Sequence, residues 1–319
     1  MPAEPADGGG SDLISFDGVP NCPVYPWWQL SPIYRSYKKG DPVSEFIRDV
    51  MLTNETSWGV VVNTFDELES VYLQHLEGKI GRGRVWAVGP IVPSGPTTDR
   101  GGSSKVVATE LLSWLDKCQD NSVVYVCFGS QVVMSNLQME VLALALEKSR
   151  VRFVWGVKEP TIENSGSEFG AVPPGFEDGV AGRGLVIRGW VPQVMVLNHR
   201  AVGSFLTHCG WNSVLEAIVA GVPMLAWPMG ADQYTNAALL IEELRIAIKV
   251  CEGRDTVSNA NEMAQAMADS LSENQSRKAR VLELSRASLN AIQLGGNSSN
   301  SLDGFLKELA GLKSVNNSS

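Results

Sequence analysis

A doubly wound α/β protein built on a parallel sheet is the fold class this sequence predicts, and three observations carry that expectation. Six short apolar runs, at 123–128, 152–157, 184–189, 203–207, 223–227 and 246–250, are mostly separated by helical patterns, which is the alternation of a parallel sheet. The 319 residues are 44% hydrophobic and 19% charged, enough apolar material for two cores. Cys22, Cys118, Cys127, Cys209 and Cys251 are scattered without C-x-x-C spacing, so neither a zinc ribbon nor a disulfide framework shapes the chain and reduced thiols are expected.

In chain order, residues 1–12 are small, acidic and Gly-rich and are expected to be disordered. The stretch 13–45, with Pro20, Pro23, Pro26, Trp27, Trp28 and Pro32, reads as irregular structure. A helix over about 43–56, a strand at Gly59 to Val62, a helix over 66–79 and a strand at Val85 to Val88 complete a first unit, 13–90. The Gly- and Pro-rich run 91–105 reads as a linker. The second unit, 106–313, holds the six strands. After the first of them, Ser135 with Gln138 predicts a capping box, and Leu137, Val141, Leu144 and Ala145 an apolar helix face. Helices at 259–272, 275–292 and 300–312 follow, and 314–319 is a polar tail.

With 26 Lys and Arg against 35 Asp and Glu the net charge is -9, which offers no footprint for nucleic acid or an anionic membrane. No apolar run has the length of a membrane span and the N-terminus lacks the pattern of a signal peptide, so a cytoplasmic location is expected.

Ligands of open parallel sheets bind outside the carboxyl ends of the strands, where helix N-termini present unpaired N–H groups to phosphates. Four such loops stand out. In Thr207-His208-Cys209-Gly210-Trp211-Asn212-Ser213, Gly210 permits close backbone approach, while His208, Asn212 and Ser213 can donate to one anion. Glu216 lies one helical turn beyond Asn212, where a carboxylate can accept from ribose hydroxyls. A capped helix with a buried His is the alternative for this loop alone. Ser130, after the strand ending at Cys127, can reach a diphosphate. Trp190 offers a flat face for a base, with the Val191 backbone and Gln193 for its edge. Asp232 and Gln233 suit the hydroxyls of a sugar, or else form a helix N-cap. Taken together, the four loops predict a nucleotide sugar as ligand.

The stretch from Trp190 to Gln233, WVPQVMVLNHRAVGSFLTHCGWNSVLEAIVAGVPMLAWPMGADQ, resembles the donor-binding signature of plant family 1 UDP-glycosyltransferases along its whole length. The segments PWWQLSPIYRSYKKGDP, WGVVVNTFDELE and RVWAVGPIVP resemble the later part of the acceptor domain of flavonoid-type members. The resemblance implies a GT-B-type fold, with residues 106–313 as the UDP-sugar-binding domain and 13–90 belonging to a second α/β acceptor domain. It implies that Trp190 stacks on uracil, that Glu216 binds ribose, that Ser130, His208, Asn212 and Ser213 hold the diphosphate, and that Trp211, Asp232 and Gln233 face the sugar. A Gln at the last position points to glucose. The implied reaction transfers glucose with inversion from UDP-glucose to a hydroxyl of a small phenolic acceptor. No cofactor and no metal are expected, since no Asp-x-Asp triplet occurs and the helix dipole and His208 are expected to neutralise the diphosphate.

Members of the family are longer and carry near their N-terminus a His general base oriented by an Asp. Neither segment occurs here, and the catalytic residues stay unassigned: of the three histidines, His75 is expected on a helix surface and His199 and His208 lie within the donor signature. The expectation is therefore an N-terminally truncated chain that keeps the donor site, a monomer that can associate through apolar surface left open on residues 13–90. An inactive UDP-sugar-binding protein is the alternative function. A nicotinamide-dependent dehydrogenase is disfavoured by the lack of a Gly-x-Gly-x-x-Gly turn.

Overall fold

The computed structural model describes residues 13–92, 105–158, 170–272 and 275–316. The expectations for 1–12, for most of the linker and for 317–319 lie outside the described residues. The chain divides into two compact units, one of Met1–Val92 with Arg286–Ser319 and one of Pro93–Ser285.

In the first unit, β1 (Leu13–Ser15) and β2 (Val24–Pro26) form an antiparallel pair with Ile14 opposite Tyr25. This corrects the expectation of irregular structure over 13–45. The prolines stand at the end of a strand and in the connecting turn, where they interrupt no ladder bond, and Phe16 N–H closes the turn onto Pro23 O at 3.0 Å. A single helical turn, α1 (Pro32–Arg35), follows, and then α2 (Pro42–Thr53), begun by Asp41, whose carboxylate accepts from Ser44 N–H at 2.8 Å. β3 (Val60–Val62) and β4 (Val85–Ala87) pair in parallel across the crossover helix α3 (Asp66–Ile80).

The second unit begins with α4 (Lys105–Leu115). Its strands are β5 (Val123–Cys127), β6 (Arg152–Val157), β7 (Gly184–Arg188), β8 (Val202–Thr207), β9 (Met224–Ala226) and β10 (Ala247–Lys249). They form one sheet of order β10-β9-β8-β5-β6-β7, every pair parallel, as the doubly wound reading required. β8 is buried along its whole length, which explains why it reads as a continuous apolar run instead of an alternating one. The connecting helices are α5 (Asn136–Ser149), α6 (Phe176–Gly179), α7 (Gln193–Leu197), α8 (Trp211–Ala220), α9 (Gln233–Ala238), α10 (Ala260–Leu271) and α11 (Gln275–Ile292).

The capping box of α5 is present, with Ser135 Oγ accepting from Gln138 N–H at 3.3 Å and Gln138 Oε1 from Ser135 N–H at 2.9 Å. Its buried face differs from the expected one. Leu137 and Leu144 are exposed, while Gln138, Met139, Leu142, Ala143, Ala145 and Leu146 face the core beside Met263 and Met267 of α10. Gln138 draws the stripe round because its Nε2 donates to Arg254 O and Thr256 O at 2.8 and 2.9 Å, so this polar residue is buried with its bonds made.

The last helix, α12 (Asn297–Asn316), is longer than expected at both ends, so residues 314–316 are helical instead of tail. It also joins the first unit, where the 106–313 boundary had placed it in the second. The Trp86 ring of β4, stacked on Trp58 at 5.4 Å, meets Phe305 of α12 at 5.1 Å, and this aromatic contact binds the C-terminal helix to β4. All five cysteines are free thiols. Among the described residues no helix is long and apolar enough to cross a membrane.

Candidate functional site

The chain runs outward from β5 through β6 to β7, then returns to lay β8 on the other flank of β5. Strand order reverses between β5 and β8, and in such sheets the crevice at the carboxyl ends of the two central strands receives the ligand. After β5 the backbone turns through Gly129 at φ +70, and after β8 through Cys209 at φ 63, into Gly210, the N-cap of α8. Gly210 brings no capping side chain, so no side-chain cap meets the first N–H groups of α8.

A cleft of about 570 Å³ opens along this edge, within the range of small-molecule sites. Seven expected residues line it: Ser130, Trp190, Val191, Gln193, Asn212, Ser213 and Glu216. Trp190 is half-buried, leaving part of the indole to the cleft. Five others, His208, Gly210, Trp211, Asp232 and Gln233, do not line it: His208 and Gly210 precede α8, which Trp211 opens, and Asp232 precedes α9, which Gln233 opens.

One hydrogen-bonded relay organises the lining. Gln193 Nε2 donates to Ser213 Oγ at 3.0 Å and to Glu216 Oε2 at 2.8 Å, while its Oε1 accepts from the buried Tyr125 hydroxyl at 3.4 Å. Ser213 and Glu216 lie three apart on α8 and so share a face toward Gln193. The Gln193 amide thus holds the carboxylate of Glu216. Burial pushes the Cys127 thiol up, with Glu216 adding to the rise.

His208 lies between two glycines. A methyl group on Gly129 would stand 2.7 Å from its Cε1, and one on Gly210 2.5 Å from its Nε2. Burial lowers its pKa to about 4 against an opposing pull from Asp232, so the ring is neutral at pH 7. A neutral imidazole offers one N–H donor. Its Nδ1 is buried without a hydrogen-bond partner among the described residues.

The Asp232 loop is closed on itself. Gln233 Oε1 accepts from Met229 N–H and Gly230 N–H at 2.9 and 3.1 Å. Asn236, one turn on, donates from Nδ2 to Asp232 Oδ2 at 2.8 Å and to Cys209 O at 2.9 Å, tying this loop to the turn after β8. His75 lies half-buried in α3, and His199 Nε2 pairs with Asp116 Oδ1 at 3.2 Å at the amino end of β8, away from the cleft.

Lys158, Tyr125 and Asn236 were missed in the sequence. Lys158 stands directly after β6 and lines the cleft, so the signal was its place at a strand's carboxyl end. Asn236 shares a helix face with Asp232. Tyr125, inside an apolar strand, gave no signal. Among the described residues no group of three or more His, Cys, Asp or Glu side chains is placed to hold a metal.

A parallel sheet whose switch point carries a helix N-terminus, a half-buried indole and a held carboxylate is the arrangement by which α/β proteins take up phosphate-bearing ligands. Residues 99–289 match the family model described as UDP-glucoronosyl and UDP-glucosyl transferase. The chain is 56% identical to UDP-glycosyltransferase 89B2 of Stevia rebaudiana over 94% of its length and 64% of the relative's. It is 53% identical to the flavonol 3-O-glucosyltransferase UGT89B1 of Arabidopsis thaliana, over 98% of its length and 65% of the relative's. Among solved structures it is similar to Arabidopsis thaliana UGT89C1 complexed with UDP-L-rhamnose, with 41% identity and a TM-score of 0.73 over 86% of this chain and 64% of that one. The chain belongs to the plant UDP-glycosyltransferase family, and its α/β architecture is of the GT-B type. It spans a little under two thirds of the length of these relatives.

Proposed function

We propose that the chain binds UDP-glucose in the cleft at the carboxyl edge of the sheet and serves as the donor half of an inverting glucosyltransferase acting on a phenolic or flavonoid hydroxyl. The relay from Gln193 to Ser213 and Glu216 carries this reading, because it fixes a carboxylate and a hydroxyl one helical turn apart at the start of α8, where ribose and diphosphate need them. Trp190 stacks on uracil, the Val191 backbone meets its edge, and Glu216 accepts from the ribose hydroxyls. Ser130, Asn212, Ser213 and the one N–H of His208 bind the diphosphate, with Gly210 admitting it close to the backbone. Its charge is met by the N-terminus of α8 and by Lys158. Trp211, Asp232 and Gln233 face the sugar. UGT89C1, also solved with UDP and with quercetin, supports a donor and a phenolic acceptor as the two ligands.

In transfer, an acceptor oxygen attacks the anomeric carbon as UDP departs, and the residues named here stabilise the leaving diphosphate. None of His75, His199 and His208 is assigned as the base that deprotonates the acceptor; the first is in α3, the second is spent on Asp116 and the third is neutral and packed between glycines. That placement favours a second reading, UDP-sugar binding without transfer by this chain. Titration of the chain with UDP, beside UDP release from UDP-glucose with and without flavonols, tests both. UDP binding without release is the expected result. Acceptor-dependent release would show a base within these residues, and failure to bind UDP would overturn the donor assignment.

A further inference from the structure

Two turns at the carboxyl edge of the sheet meet through one side chain. Asn236 donates from Nδ2 to Asp232 Oδ2 at 2.8 Å and to Cys209 O at 2.9 Å, so a single amide joins the loop after β9 to the turn after β8. Both turns carry a non-glycine residue in the left-handed region, Ala231 at φ 52 and Cys209 at φ 63, and such conformations persist where neighbouring contacts over-determine them. Asp232 occupies the N-cap position of α9, yet its side chain makes no cap bond. An aspartate there ordinarily accepts from the first N–H groups of its own helix. Here the carboxylate is turned to Asn236 instead, and with Asp232 exposed its Oδ1 stays open to a ligand. Asn is also a weaker helix former than Ala, so its place inside the six-residue α9 serves the two turns and not the helix.

We propose that Asn236 is a positioning residue that locks the sugar-facing carboxylate of Asp232 to the diphosphate-binding turn at Cys209 and Gly210. The proposal rests on the donor reading above and adds to it a device that keeps the two parts of the ligand in register. The Cys209 carbonyl held by Asn236 stands one residue before Gly210, the N-cap of α8, and three before Asn212, which lines the donor cleft. Asp232 pulls the pKa of His208, in the same turn, upward against the larger effect of burial, so its charge is felt there. Without the amide of Asn236, the carboxylate is free to swing back and cap α9, and it no longer meets the sugar in one orientation. The buried Cys209 loses the side-chain donor to its carbonyl at the same time, which loosens the approach to α8.

The test is calorimetric titration of the whole chain with UDP and, separately, with UDP-glucose, in the wild type, Asn236→Ala, Asp232→Ala and the double variant. Asn236→Ala should weaken UDP-glucose by about tenfold and UDP by about threefold or less. Asp232→Ala should weaken UDP-glucose by a similar factor, and the double variant should be no more than about threefold worse than Asp232→Ala, because Asn236 acts through that carboxylate. Asn236→Leu keeps the side-chain volume without the donors and should repeat the alanine pattern. A melting temperature for each variant separates loss of the site from loss of the fold. Equal losses of UDP and UDP-glucose in the Asn236 variants would make the residue a structural tie and overturn the proposal. Fully multiplicative losses in the double variant, or UDP-glucose affinity unchanged by Asn236→Ala, would overturn it as well. Failure of the wild-type chain to bind UDP would overturn the donor reading itself, so the two failures are read apart.

Discussion

The imidazole of His208 rests on the α-carbon of Gly129, so closely that a methyl group there would stand 2.7 Å from His208 Cε1. Gly129 also holds φ +70, which L side chains rarely adopt. Gly129→Ala should therefore displace the ring and strain the turn after β5 together. The expected outcome is a loss of about 1–3 kcal/mol of stability and about tenfold in UDP affinity, read by denaturant unfolding and calorimetry. Wild-type affinity in this variant would remove His208 from the donor site.

The same packing sets a pH dependence. The folded pKa of His208, about 4, is below its unfolded value of 6.5, so the unfolded chain binds the proton more readily. Stability linked to this group is thus present above pH 6.5 and is lost as pH falls through about 4, by on the order of 3 kcal/mol. NMR titration of the His208 imidazole protons should find the ring ionising far below 6.5. His208→Asn should flatten the acid limb of the stability profile; a His208 titration near 6.5 would contradict the burial argument.

The strand order and the loops at the carboxyl edge were legible because each rests on a local pattern: a β-branched run, then Gly, then a helix start. What the sequence concealed depends on contacts between distant segments. Gln193 and Glu216 are far apart in sequence, and nothing local says that the amide of one will hold the carboxylate of the other. Likewise α12 has an ordinary amphipathic pattern, and only the meeting of Phe305 with Trp86 assigns it to the first unit. The buried face of α5 was misread for a related reason, since Gln138 is drawn inward by carbonyls more than a hundred residues away.

Glu216→Ala removes the carboxylate proposed to accept from the ribose hydroxyls and should cost roughly 1.5–3 kcal/mol in UDP affinity. Gln193→Ala leaves that carboxylate in place and frees it to rotate, so a smaller loss is expected, about threefold to tenfold in Kd. Because both act on one group, the double variant should be little worse than Glu216→Ala alone. Additive losses in a double-mutant cycle would mean that Gln193 meets the ligand directly instead of positioning Glu216.

Lys158 adds a positive charge to the lining of the cleft. Lys158→Ala should weaken UDP by about tenfold, make its affinity less salt-dependent, and leave uridine, which has no phosphate, unaffected. Equal losses for UDP and uridine would assign Lys158 to packing and return the whole of the charge compensation to the N-terminus of α8.

The apolar side of α2 bears on solution behaviour. Val43, Phe46 and Val50 are 65%, 69% and 46% exposed, and their spacing places them on one stripe of the helix, with Met51 beside it. Asp41 and Pro42 start the helix firmly, so the stripe is presented as a formed surface instead of a frayed one. Exposed apolar stripes of this kind drive association. The elution volume on gel filtration should fall as protein concentration rises, and Phe46→Glu should reverse the trend without lowering the melting temperature, because Phe46 contributes little to the core. A monodisperse monomer at every concentration would show that the stripe is too small to self-associate.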